Sequence, residues 1–93
     1  MKVVVLPTAV QDIAWFRHYY RAVFPAVSDG ARANLRAVQA LIAANPYIGH
    51  PSEAHPEVRE YPVKRTPLVV IYRVSPDQLE ILRLWDGRQG GQF

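Results

Sequence analysis

Six cations stand in the second half of the chain, Arg59, Lys64, Arg65, Arg73, Arg83 and Arg88, and nine of the eleven basic residues overall are arginine. Guanidinium groups make flat, bidentate contacts with carboxylates, phosphates and aromatic rings. They also stabilise developing negative charge, but catalysis of that kind needs proton-transferring groups at fixed positions beside them. Arg73 and Arg83 stand out because each interrupts an otherwise apolar strand-like run. Such a residue is either paired internally, with Glu60 and Asp86 as the candidate partners, or presented at a contact surface. Trp85 lies two positions after Arg83, and its ring suits either a core anchor or an interface hot spot. Strand alternation groups Leu79, Ile81, Arg83 and Trp85 on one face and Glu80, Leu82, Leu84 and Asp86 on the other. Lys64 and Arg65 read as solvated turn residues.

Other chemistries are poorly supplied. His18, His50 and His55 form no helical ligand spacing with one another or with a carboxylate, and no cysteine occurs, so neither a metal nor any other cofactor is expected. Ser28, Ser52 and Ser75 sit where caps and turns want hydroxyls, without the glycine elbow of a nucleophilic serine. Gly90-Gly91 belongs to a tail and not to a phosphate cradle. The net charge of +3 is modest and the eight acidic residues are interspersed with the basic ones, so direct specific nucleic-acid binding is not expected. No stretch has the length of a membrane span or of a signal-peptide core, and the reading is a soluble, cytoplasmic protein.

With 93 residues, 49% of them hydrophobic, the chain fits a single domain over residues 1–93. Lys2–Leu6 is valine-rich and reads as a buried strand ended by Pro7. Thr8 with Gln11 has the form of a capping box, and Ala9, Ile13, Phe16, Tyr20 and Val23 then trace one stripe of a helix that closes at Phe24-Pro25. Ser28 offers a second cap. Ala31, Leu35, Val38 and Ile42 predict a second helix to about Ala44, stopped by Asn45-Pro46. Residues 45–57, with three prolines and two histidines, are loop text. Strand runs follow at Val58–Lys64, Leu68–Val74 and Gln78–Asp86, and the short turns between them imply an antiparallel meander. The fold class is α+β: an N-terminal strand, an antiparallel two-helix hairpin and a three-stranded antiparallel meander, with the helices on one face of the sheet. The middle strand is apolar on both faces, so the outward face calls for a protein partner.

This order of elements resembles the ParE/RelE superfamily of type II toxin-antitoxin toxins. The resemblance spans nearly the whole chain and rests on Asn45-Pro46 with Gly49, on Val70-Ile71-Tyr72-Arg73-Val74, and on Glu80-Ile81-Leu82-Arg83-Leu84-Trp85-Asp86-Gly87-Arg88. The last segment is similar to the ParE-type ending, in which an Ile-Leu-Arg strand leads through a short aromatic turn to Gly-Arg.

The superfamily divides by activity, so the fold alone does not assign one. RelE-like members are ribosome-dependent messenger RNA nucleases; ParE-like members, also called plasmid stabilisation proteins, inhibit DNA gyrase. The RelE-like pattern wants basic residues on the first meander strand, an arginine opening the second, another after the last strand, and a tail tyrosine. Aligned through Tyr72 and Gly87, this chain has Glu60 and Pro62, Val69, and Gln89 at those places, with no residue at the tyrosine position. The resemblance therefore implies a ParE-like, non-catalytic toxin neutralised by a cognate antitoxin in a hetero-oligomeric complex. Arg73, Arg83, Trp85 and Arg88 are its expected partner- and target-binding residues. The alternatives are a RelE-like endoribonuclease, for which Lys64, Arg65 or Arg88 would supply the cations, and a non-toxic, antitoxin-bound relic.

Overall fold

The computed structural model describes residues 1–87, so Arg88 lies outside the described residues. Strand β1, Lys2–Val5, leads directly into helix α1, Pro7–Val23. The Thr8 capping box does not form: Leu6 is the N-cap and Pro7 occupies the first turn. Proline there has its φ already set for a helix and lacks only an N–H that would have been unpaired anyway. The helix closes with the Phe24 N–H on the Tyr20 carbonyl at 2.9 Å, and Pro25 prevents another turn. Ser28 is likewise no cap. It is the buried first residue of helix α2, Ser28–Ala44, which Val27 precedes as N-cap and in which Asp29 places negative charge in the first turn. The stop at Asn45 is as expected, with both its backbone and its side-chain nitrogen bonded to the Leu41 carbonyl.

A two-residue strand follows, β2 at His50–Pro51, within the stretch read as loop. It is too short for periodicity to reveal and exists because it pairs with the next strand. The meander is β3 (Val58–Pro62), β4 (Leu68–Val74) and β5 (Gln78–Asp86). The sheet order is β1-β5-β4-β3-β2, with β1 parallel to β5 and the other pairings antiparallel. The N-terminal strand thus lies against the last one, and the helix hairpin is the connection that carries the chain from one edge of the sheet towards the other.

Both helices pack on one face. Ala9, Phe16 and Tyr20 from α1, with Ala31, Leu35, Val38 and Ile42 from α2, meet Val63, Leu68, Val70, Tyr72, Leu79, Ile81 and Leu84 in one core. Burying each of the larger side chains contributes roughly 1.5–3 kcal/mol. The predicted α2 stripe is buried in full, whereas Val23 at the end of the α1 stripe is exposed. A β-bulge corrects the alternation expected of β5. Ile71 faces Arg83 but Tyr72 faces Ile81, so Leu82 has no opposite number. Leu84 therefore joins Leu79 and Ile81 in the core, while Arg83 and Trp85, opposite Ile71 and Val69, turn to the outward face.

Candidate partner-binding site

The site begins where β1 stops. Its pairing with β5 ends at Val5 and Ile81, and Leu6 donates its N–H to the Ile81 carbonyl at 3.0 Å before the chain turns into α1. Beyond that point the outer edge of β5 has no neighbouring strand among the described residues. Asp12, in the second turn of α1, takes over: its Oδ2 accepts the Leu84 backbone N–H at 3.0 Å. The same carboxylate holds Arg83, with Nε on Oδ2 at 2.7 Å and the second nitrogen on Oδ1 at 3.2 Å. Asp12 thus satisfies a strand edge and an arginine together, and its bonds raise the Arg83 pKa above the ordinary value against the opposing effect of burial. The partners of Arg83 and Arg73 are therefore not the Asp86 and Glu60 that sequence proximity suggests.

The Arg83 guanidinium also lies over the Trp85 ring, 5.4 Å from its centroid. Held between a carboxylate and an indole, it has little rotamer freedom left to lose on binding. Next to it is Trp15, 49% exposed and stacked on Tyr19 at 4.9 Å. Asp12, Trp15, Arg83, Leu84, Trp85 and Asp86 line a shallow cleft of about 150 Å³. Two indoles and a guanidinium are residue types enriched at the hot spots of protein-protein interfaces. Neither Asp12 nor Trp15 was singled out from the sequence: Asp12 looks like an ordinary off-stripe helical residue, and its partner lies 71 positions away.

Arg73 shares the outward face but not the cleft. It sits opposite Glu80 in the register and bonds to it, Nε to Oε1 at 2.8 Å, while Gln78 donates to the other carboxylate oxygen at 2.8 Å. The Arg73 hydrogen bond, and after it that of Gln78, hold the Glu80 pKa below the ordinary carboxylate value. The outward face is more closed than its composition suggests. Ile71 is fully buried, and among the described residues the exposed large apolar side chains lie at the N-terminus, on the helices and on the connections that follow them.

Lys64 and Arg65 are in the β3–β4 turn and line different cavities. Lys64, with Asn34, Ala37, Val38, Leu41, Tyr61 and Pro62, borders a mostly apolar groove of about 380 Å³ between α2 and β3. Arg65 borders a space of about 410 Å³ against the start of α2 and has a φ of 64°. Among the described residues, no histidine or carboxylate lines either cavity. Among the described residues, no three histidine, aspartate or glutamate side chains come together as a metal site would require. No helix among them is long and apolar enough to cross a membrane.

The loop before β2 is pinned from the core. Tyr72 donates its hydroxyl hydrogen to the Pro46 carbonyl and accepts the Gly49 N–H, each at 2.8 Å. Burial pushes this phenol above its ordinary pKa, with the Gly49 bond and the Arg59 charge pulling the other way. Arg59 donates to the Gly49 and Tyr47 carbonyls at 2.8 and 3.1 Å and lies over the Tyr47 ring at 5.0 Å. A side chain at Gly49 would collide with the Tyr72 ring, which explains why glycine stands there. The latch leaves Tyr47 and Ile48 68% and 45% exposed.

Comparison with known proteins agrees with this architecture. A family profile described as ParE toxin of type II toxin-antitoxin system, parDE, matches residues 3–90. No curated protein matches the chain. Among solved structures, one described as the chromosomal ParDE TA system from P. aeruginosa is similar at 25% identity with a TM-score of 0.76, covering 90% of this chain and 92% of that one.

Proposed function

The chain belongs to the ParE toxin family of type II toxin-antitoxin systems, and from that membership we propose a toxin that inhibits DNA gyrase by protein-protein contact and is neutralised by a cognate antitoxin. The observation that carries the reading is the Arg83 clamp. A guanidinium fixed between Asp12 and Trp85, next to exposed Trp15, is built to grip a protein surface. Of the cleft's two carboxylates, Asp12 is occupied by Arg83 and the Leu84 N–H, and no histidine, serine or tyrosine stands among the described residues that line it. Arg73, on the same outward face, extends the contact, and Arg88 is assigned to it from the family ending. The antitoxin occupies the apolar groove between α2 and β3, where Leu41 is exposed at the rim. Both partners place the protein in the cytoplasm, and no cofactor takes part.

A supercoiling assay with purified gyrase tests this. The folded chain should block supercoiling, R83A and W15A should each weaken inhibition by at least about tenfold at unchanged helix content, and antitoxin should restore activity. L41E should weaken antitoxin capture and leave gyrase inhibition intact. Full supercoiling in a large excess of folded chain counts against the proposal. Ribosome-dependent messenger RNA cleavage that is lost on replacing Lys64, Arg65 or Arg88 would favour the RelE-like reading instead. Normal growth on expression without the antitoxin would indicate a relic.

A further inference from the structure

Arg59, Arg73 and Arg83 all have partners, but the helix hairpin carries a second group of arginines that does not. Arg17 on α1 and Arg32 and Arg36 on α2 line one narrow cleft of about 180 Å³ with Gln39, over a floor of Ile13, Phe16 and Leu35. No carboxylate stands among the described residues that border it. None of the three guanidinium groups has an ion-pair or hydrogen-bond partner among the described residues, although Arg32 is half-buried. Arg32 and Arg36 are four apart on one helix, a spacing at which like charges repel. Their repulsion and the partial desolvation of Arg32 are unfavourable until an anion enters.

We propose that this cleft binds a phosphate group. Three guanidinium groups present donors only, and Gln39 adds an amide N–H, so the lining complements a multiply charged oxyanion. A phosphate carries three strong acceptor oxygens and more charge than a carboxylate, matching the excess of donors. At about 180 Å³ the cleft has room for one tetrahedral oxyanion with hydration and is too small for a docked helix. The site is separate from the Arg83 cleft and shares no residue with it. Its ligand is either a small phosphate compound or the backbone of nucleic acid bound without regard to sequence.

Calorimetric titration of the full chain with pyrophosphate at low ionic strength, beside fluorescence anisotropy with a short labelled duplex of arbitrary sequence, separates the sources. Saturable pyrophosphate binding, weakened about tenfold or more by R32Q and by the exposed-site variant R17Q/R36Q, supports the site. Duplex binding that pyrophosphate competes away assigns it to nucleic acid; pyrophosphate binding without duplex binding assigns it to a small phosphate. Circular dichroism confirms that R17Q/R36Q folds. Absence of saturable pyrophosphate binding overturns the proposal, as does binding unchanged in R17Q/R36Q. So does a glutamate-rich peptide that binds more tightly than pyrophosphate and loses its affinity in R32Q.

Discussion

Replacing Asp12 by alanine removes the acceptor for the Leu84 N–H and for two nitrogens of Arg83 at once. Leu84 is buried in β5, and an unsatisfied backbone N–H there costs about 1–3 kcal/mol. The Arg83 side chain is 32% exposed, so solvent screens its pairing. That pairing is discounted to about 0.5–1 kcal/mol. Together the loss for D12A is about 1.5–4 kcal/mol, which lowers the melting temperature of a domain this size by roughly 6 °C or more. D12N keeps one acceptor and should lose only about 1 kcal/mol. Urea denaturation of D12A, R83A and the double variant gives the coupling directly, expected at about 0.5–1 kcal/mol. If D12A unfolds within about 0.5 kcal/mol of the parent, or R83A costs the same with and without Asp12, the carboxylate is not the edge cap that the geometry describes.

G49A forces a side chain into the Tyr72 ring and should destabilise by about 1–3 kcal/mol in urea, less in a Y72F background where the hydroxyl is gone. Because burial raises the Tyr72 pKa above 10.0, its contribution is complete below the ordinary phenol value and is lost as pH climbs through the raised one, a limb of the alkaline stability profile that Y72F removes. R65G relieves a left-handed backbone conformation and should raise the urea midpoint, by at most about 1 kcal/mol in stability. Glu80 has a lowered pKa, so its stabilisation is present above the ordinary carboxylate value and disappears as pH falls through the lowered one. E80Q should therefore lower stability near neutrality, leave it nearly unchanged in strong acid, and so flatten the acid side of the profile.

The residues whose spacing carried the family resemblance gain physical reasons from the fold. Pro46 and Gly49 are the loop partners of Tyr72, so two separated pieces of text are the two halves of one latch. Arg83 and Trp85 were identified from the sequence as candidates because a charge in an apolar strand must be accounted for, and the structure brings them together over one cleft. Arg73 was found by the same argument, yet it bonds to Glu80 and lines no described cleft. Lys64 and Arg65 lie apart from all three, along α2. Arg17, Arg32 and Arg36, which have no partner among the described residues, do not stand out in the sequence, since charges off an apolar stripe look alike whether or not a counter-ion stands nearby.

By itself the sequence determined the class and the elements other than the two-residue β2. Helix stripes and stops, the meander and its turns are local properties, set by side chains within a few residues of one another. The tertiary structure alone decided that β1 lies parallel to β5, that a bulge at Leu82 turns Arg83 and Trp85 outward, and that Asp12 closes the edge which β1 leaves bare. Each of these depends on pairing between residues far apart in the chain. A one-residue change of register moves every later side chain of a strand to the other face, and nothing local in β5 records where that change falls.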